Sequence, residues 1–531
     1  MPTRPRAGDC VITLALGGWH SHGAAAVGSR GRLLAALDAG SVVGVREIGL
    51  LAVPDPWVVA ARCLAAAGAS WDEVAQVCLV TDTPAVGGVA QVPADVEAYA
   101  RGRGLVVGTA TTMDADRATR AFAETLEPGQ PVLYAGIADA WLASDGGLVH
   151  ITGYGDLAAA AARLSAALGQ GRREPWHALQ SLAEGRQPEA RWDGAMRPVM
   201  AAGPAAVDVA REALERLIAD ASATVSVALD SADSPHVGAQ MLRAALASAF
   251  LVRVREILND VGGDGRAIVG GRVGTLPAVS RHRLADVLPC PDARGAVIGA
   301  AIGALAPGEG VRLQGIGENF SEADVKLALE SSRLDYLYEP RPERLMDRIS
   351  ALLAAGKLVA WFEGRADFGD VPCGSRVVVA DAAERYSRDN VNVYLRHRSV
   401  DSLLTVMLTA ATATRIFGDR APAPGQRARL TVPPAHTAAF DGAANKHGII
   451  DLVVACDSGA PGFHQLLAHH EARTGHPALV VSRLAAADGA VAARPIDALA
   501  VTYTTPLDAL VMGRFVVFKD YWLLRSGTPT A

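Results

Sequence analysis

The chain has only six cysteines in 531 residues and no C-x-x-C pair, so neither a disulfide framework nor a zinc knuckle is legible. Cys10, Cys63, Cys78, Cys290, Cys373 and Cys456 are scattered, and reduced, buried thiols are expected. Aromatic residues are scarce, yet half of the chain is apolar. Ala, Val and Leu are therefore left to fill the cores, and a mostly disordered chain is excluded. An excess of positive charge is missing too: 50 Lys and Arg face 56 Asp and Glu, a net charge of −6. That excludes the broad basic surface that non-specific nucleic-acid binding requires. Long hydrophobic runs are also lacking. Residues 295–306 are a good example, too short and too rich in Gly and Ala to cross a bilayer, which takes about 20 residues. The first residues, MPTRPRAGDCVITLALGG, lead straight into a strand-like segment without a signal-peptide cleavage pattern. A cytoplasmic protein with no membrane or nucleic-acid partner is the expectation.

What is present alternates between strand and helix. Residues 10–16 and 24–27 read as strands turned by Gly17-Gly18, and Gly28-Ser-Arg-Gly31 turns the second into residues 33–37. A helix over residues 56–69 and a buried strand at 77–80 follow. Short strands at 105–107 and 132–134 alternate with helices at 115–124, 156–169, 207–219 and 241–261. This pattern implies an α/β sheet. Ala267-Ile-Val-Gly-Gly271 reads as a strand ended by paired glycines, where backbone can approach a phosphate, although paired glycines alone are weak evidence. Asp292 reads as the cap of a helix with a small-residue face. Residues 306–345 form the boundary region, with Ser321-Glu-Ala-Asp324 as a capping box. A second α/β unit begins with a helix at 344–355, a strand at 358–362 and a Gly-rich loop.

The strand and loop Val359-Ala-Trp-Phe-Glu-Gly-Arg-Ala-Asp-Phe-Gly369, with Gly374-Ser-Arg376 and Ala380-Asp381, resemble the signature of the NodU/CmcH family of carbamoyltransferases. His22-Gly-Ala-Ala-Ala is similar to that family's early His-Asp-Ser-Ala-Ala, Gly270-Gly271 to a later Gly-Gly, and Asp292-Ala-Arg-Gly295 to its Gly-Asp-x-Gly region. Phe463-His-x-Leu-Leu, Thr474-Gly-x-Pro477, Pro495-x-Asp-Ala498 and Leu507-Asp-x-Leu510 follow in the family's order. The resemblance implies an actin-like (ASKHA) duplicated α/β domain over residues 1–335 and a YrdC-like α/β domain over 336–531. It also implies ATP, Mg-bound, and carbamoyl phosphate as ligands. The rear domain would form a carbamoyl-adenylate, and the front would pass the carbamoyl group to a hydroxyl of a small natural-product intermediate.

That chemistry gathers phosphate charge, which needs guanidinium forks and backbone amides. Arg365, Gly369, Arg376, Arg396 and Arg398 are the candidates in the rear half, the last two within Asn392-x-x-x-Arg-His-Arg398; Gly270, Gly271 and Asp292 are those in the front. His22, or His20 beside it, is the candidate general base, because an imidazole titrates near neutral pH. The chain departs from the family where Pro-Arg-Ala-Leu becomes Asp370-Val-Pro-Cys373, and Asn-Thr-Ser-Phe-Asn becomes Ser482-Arg-Leu-Ala-Ala486. The family's metal-binding His-His-x-x-His falls on Met113-Asp-Ala-Asp-Arg117 and its Asp-Gly on Ala135-Gly136. Arginine has no lone pair to offer a metal, so loss of the family's transition metal is expected. Three functions compete: a metal-independent carbamoyltransferase, a degenerate member serving as partner subunit or binding protein, and, ranked last, a kinase of the actin-like fold. A homodimer, or a heterodimer with an intact family member, is compatible with each of the first two.

Overall fold

Apolar residues at the start of the chain form β1 (Ile12–Gly17), paired antiparallel with β2 (Ala24–Ser29). A computed structural model describes residues 12–19, 23–46, 48–80, 94–110, 132–135, 140–144, 147–151, 268–270, 293–302 and 313–520, apart from 370, 399, 423, 426, 457–459 and 488. β2 turns into β3 (Arg32–Asp38) through Arg30 and Gly31, whose φ angles of 50° and 80° are those of a tight hairpin turn following the strand twist. β4 (Val74–Val80) runs parallel to β1 on its other side and β5 (Val106–Ala110) parallel to β4, so the sheet order is β3-β2-β1-β4-β5. A second sheet repeats the scheme: β6 (Val132–Ala135), β7 (Ala140–Ser144) and β8 (Gly147–Ile151) form an antiparallel meander, and β9 (Ile268–Gly270) lies parallel to β6. An antiparallel meander with a parallel strand added beside its first strand, occurring twice, is the duplicated actin-like α/β arrangement expected from the sequence.

Helices close the first sheet. α1 (Ala39–Val43) is capped by Asp38, and α2 (Pro56–Ala66) begins with proline behind the cap Asp55, whose carboxylate accepts the Trp57 amide. α2 ends three residues short of the expected limit, and Gly68 turns the chain at φ 70°. α3 (Ala94–Gly102) precedes β5. α4 (Ala293–Ile302) is the small-residue helix of the sequence reading, and it lies so close to β1 and β2 that only glycine fits beneath it. A Cβ at Gly28 would stand 2.2 Å from the Ala301 carbonyl oxygen.

The rear half builds one nine-stranded mixed sheet. Its elements are α5 (Glu322–Ser331), β10 (Leu337–Tyr338), α6 (Pro342–Ala354), β11 (Val359–Phe362), β12 (Arg376–Asp381), β13 (Thr405–Leu408) and α7 (Ala410–Phe417). Then come β14 (Arg427–Thr431), β15 (Ile449–Val454), α8 (Pro461–Thr474), β16 (Leu479–Arg483), α9 (Pro495–Thr504), β17 (Ala509–Met512) and β18 (Phe515–Phe518). The order is β10-β18-β17-β11-β12-β16-β13-β15-β14. Both faces are buried: Val377 and Val379 of β12 enter a core with α6 and α8, and Val378 and Ala380 enter one with α5 and α9. Strands packed on both sides read as unbroken apolar runs, as β12 does. Ser321 and Asp324 form the expected capping box, and α5 sends Val325 and Leu329 into the rear core.

The helices read at 115–124, 156–169, 207–219 and 241–261 lie outside the described residues, as do His20, His22, Gly271 and Asp292. Among the described residues no helix is long and apolar enough to cross a membrane, and Cys63, Cys78, Cys373 and Cys456 are free thiols, the first three buried.

The close helix–sheet contact has a measurable consequence. Gly28→Ala should destabilise the protein by about 1–3 kcal/mol, the usual cost of overpacking, seen as a lower urea midpoint. Gly102→Ala, where a Cβ meets nothing within 4 Å, should leave the midpoint unchanged or raise it.

Candidate functional site

The front and rear sheets meet along a seam that begins with one guanidinium. Arg365 donates through Nε to the Gly317 carbonyl at 3.0 Å, and through Nη2 to Ile316 at 2.9 Å, Ala66 at 2.8 Å and Leu34 at 3.4 Å. Leu34 and Ala66 belong to the front half, so this side chain ties the two halves together. Arg62 of α2 makes a forked ion pair with Glu318, its Nε 2.7 Å from Oε1, and Val45 bridges Gly489 backbone to backbone.

Enclosed by these contacts is a pocket of about 80 Å³, lined by Asp38, Arg46, Arg294, Glu318, Arg376 and Arg483 among others. A water occupies roughly 10–15 Å³ on this measure, so the space suits a phosphate-sized anion rather than a whole nucleotide. α4 delivers Arg294, whose Nη1 lies 3.2 Å from Asp38 Oδ2 and whose guanidinium faces the Phe368 ring at 5.9 Å.

Arg376 opens β12 and is 4% exposed. Its guanidinium carbon lies 3.6 Å from the centroid of the Phe362 ring, and its outer nitrogens donate to the carbonyls of Glu363, Ser375 and Gly364. Its Nε is buried without a hydrogen-bond partner. Among the described residues no carboxylate pairs with it; Asp367, Glu318 and Glu363 act through space. Burial pushes its pKa down from 12.5 to about 9 against their pull. A cation in this position is incompletely compensated and gains from an anion brought into the pocket.

Arg396 repeats the theme behind the pocket wall. It donates to Ser482 Oγ at 2.9 Å and to the carbonyls of Arg483, Ala485 and Ala486. Burial lowers its pKa to about 9, and repulsion from Arg483, Arg398 and Arg46 adds to the drop. Four guanidiniums therefore share one field, with two of them, Arg46 and Arg483, on the pocket surface.

The loop between β11 and β12 is shaped from within by Asp367. Its carboxylate accepts from Ser375 Oγ at 2.7 Å and from the amides of Gly315, Cys373 and Ser375. Burial raises the Asp367 pKa, and these bonds and Arg376 oppose the rise. Gly369 and Gly374 hold φ angles of 98° and 108°, a region that side chains avoid, and a Cβ at Gly374 would press on the Phe463 ring. Glu363 accepts the amides of Gly462 and Phe463 at the start of α8 and so anchors that helix to the loop.

Of the residues singled out in the sequence, Arg376 and Gly369 line the pocket and Arg396 stands behind it. Arg365 is spent on main-chain carbonyls, and Arg398 turns to Asn392 Oδ1 at 2.7 Å and the Leu403 carbonyl. Gly270 ends β9. The residues matched to the family's metal site at 113–117 lie outside the described residues, as does Asp370. Sequence reasoning missed Asp38, Arg46, Arg294 and Arg483. Arg294 and Arg483 had a signal, the first in the Asp292-Ala-Arg-Gly295 match and the second in the Ser482-Arg-Leu-Ala-Ala486 stretch set against the family's Asn-Thr-Ser-Phe-Asn.

Residues 350–519 match the family described as Carbamoyltransferase C-terminus. An uncharacterized protein of Synechocystis sp. is 23% identical over 227 residues, 38% of this chain and 37% of that protein, so the match spans little more than a third of the relative's length. Among solved structures, YeaZ from Pseudomonas aeruginosa is 17% identical with a TM-score of 0.20, covering 27% of this chain and 65% of its own. The ROK hexokinase of Thermus thermophilus is 15% identical with a TM-score of 0.25, covering 55% and 97%. These structural similarities are low, and the fold rests instead on the strand order described above.

Because Arg365 satisfies four carbonyls at the seam, Arg365→Ala should cost at least about 2 kcal/mol, on the scale of bonds to charged groups. Thermal unfolding of the variant should show a lowered midpoint, and Arg365→Lys should recover little of it, since an ammonium cannot span the same fork.

Proposed function

We propose that this chain is an ATP-dependent carbamoyltransferase whose seam pocket receives the phosphate of carbamoyl phosphate. One observation carries the reading: Arg376, buried and with no carboxylate paired to it among the described residues, lines a phosphate-sized space that Arg46, Arg294 and Arg483 also line, and Arg376 and Arg483 lie inside the segment that matches the carbamoyltransferase C-terminus. In this reading residues 1–335 are the transfer domain and 336–531 a YrdC-like activating domain. The acceptor is a small natural-product intermediate.

The chemistry balances in three steps. Water releases inorganic phosphate from carbamoyl phosphate and leaves carbamate. A carbamate oxygen then attacks the α-phosphorus of Mg-bound ATP, and pyrophosphate departs. Finally the acceptor hydroxyl attacks the carbamoyl carbon, AMP leaves, and the hydroxyl proton passes to His22 or His20. Arg376, Arg46 and Arg483 hold the anions, and fixed guanidiniums aimed where charge accumulates need no reorganisation during the reaction. Arg294 with Asp38 shapes the front wall. Arg365 acts as a positioning residue that keeps both halves of the pocket in register.

The test is direct. Purified protein given ATP and carbamoyl phosphate without an acceptor should release pyrophosphate in an amount equal to the carbamoyl-adenylate formed plus any AMP freed when water attacks it in the acceptor's place. Arg376→Lys should raise the KM for carbamoyl phosphate about tenfold or more, the equivalent of one charge-assisted hydrogen bond. A folded protein that forms neither product, but binds an intact family member stably, overturns this reading in favour of the partner-subunit one.

A further inference from the structure

A second cluster stands at the far end of β12, five residues from Arg376 and so roughly 17 Å away along the strand. Asp381, the last residue of β12, has a side chain that is 0% exposed, and His470 on α8 is 1% exposed. His476, just past the end of α8, is 39% exposed. Asp381 Oδ2 lies 2.6 Å from His476 Nδ1 and 3.2 Å from His470 Nε2, and the three atoms are all within 4.8 Å of one another. Nothing in the proposed transfer chemistry uses these groups.

We propose that Asp381, His470 and His476 form a binding site for a first-row divalent cation, with zinc the best fit. The donor set is two imidazole nitrogens and one carboxylate oxygen, which suits zinc in tetrahedral geometry with water as the fourth ligand. Ligand atoms about 2.0–2.2 Å from a tetrahedral zinc stand about 3.3–3.6 Å apart. The observed separations of 2.6 and 3.2 Å therefore need to open by less than about 1 Å. The half-exposed ring of His476 leaves a route for the ion and a place for the water.

The surroundings support the assignment independently. Nδ1 of His470 is 2.9 Å from Ser350 Oγ on α6, so with the proton on Nδ1 donated to the hydroxyl, Nε2 presents its lone pair to the ion. The second oxygen of Asp381 accepts the Ala383 amide at 2.9 Å, which fixes the carboxylate plane. Among the described residues Asp381 faces imidazoles and an amide, and no Lys or Arg pairs with it. A buried carboxylate so placed is neutralised either by an imidazolium or by a metal. Bound there, the ion would clamp the end of α8 and the turn after it to the edge of β12, a structural role separate from the anion pocket.

The experiment uses the full chain, stripped with a chelator and titrated with Zn2+ or Co2+. One equivalent of metal should bind at this site, with a tetrahedral Co2+ absorption and a Zn2+-dependent rise in melting temperature. Both should vanish in His476→Ala, a half-exposed position whose truncation leaves the core intact. Ser350→Ala should weaken Zn2+ binding 10–100-fold without abolishing it, the usual loss for a group behind a ligand. Absence of uptake, or uptake and spectrum unchanged in His476→Ala, overturns the proposal and leaves a metal-free imidazolium–carboxylate contact. No readout depends on carbamoyl chemistry, so the two proposals fail separately.

Discussion

A guanidinium held away from water by main-chain carbonyls, with no carboxylate paired to it among the described residues, is the constraint on which the seam of this protein depends. Carbonyl oxygens offset part of the desolvation of Arg376 and Arg396, but they bring no net charge. The rest must come from a rigid surround that tolerates an unspent positive field. That surround is the nine-stranded sheet, buried on both faces, whose β12 fixes Arg376 at its first residue. A flexible platform would let the arginines fold out to solvent, and the field at the pocket would disperse.

The loop between β11 and β12 converts that rigidity into a shaped site. Asp367 draws four donors inward, the glycines at 369 and 374 take backbone angles closed to other residues, and Glu363 fastens the loop to α8. Arg365 then extends the same loop across to the front half. One short segment thus builds the pocket floor, binds the neighbouring helix and joins the two sheets, which accounts for its density of Gly, Arg and acidic residues.

Local order was largely legible in the chain. The Ser29-Arg-Gly-Arg32 hairpin, the Ser321 capping box, the proline-led α2 and the short apolar strands follow from backbone preferences that act within a few residues. The matched loop also singled out the arginine-rich segment. It did not distinguish Arg365, which satisfies carbonyls, from Arg376, which faces the pocket, because both are arginines next to glycines and differ only in what lies across the seam. The signature included Asp381 but did not join it to His470 and His476, which lie 89 or more residues further along the chain, on a helix and in the turn after it.

The amino-acid order by itself determined the alternation of strands and helices, the loop chemistry between β11 and β12, and a net charge of −6. These depend on neighbours in the chain and on composition. Only the tertiary structure decided which arginines share a field, that α4 needs glycine beneath it, and that a carboxylate meets two imidazoles at the end of β12. Electrostatic coupling and close packing depend on distance through space, and residues such as Arg46 and Arg483 become neighbours only when separate sheets meet.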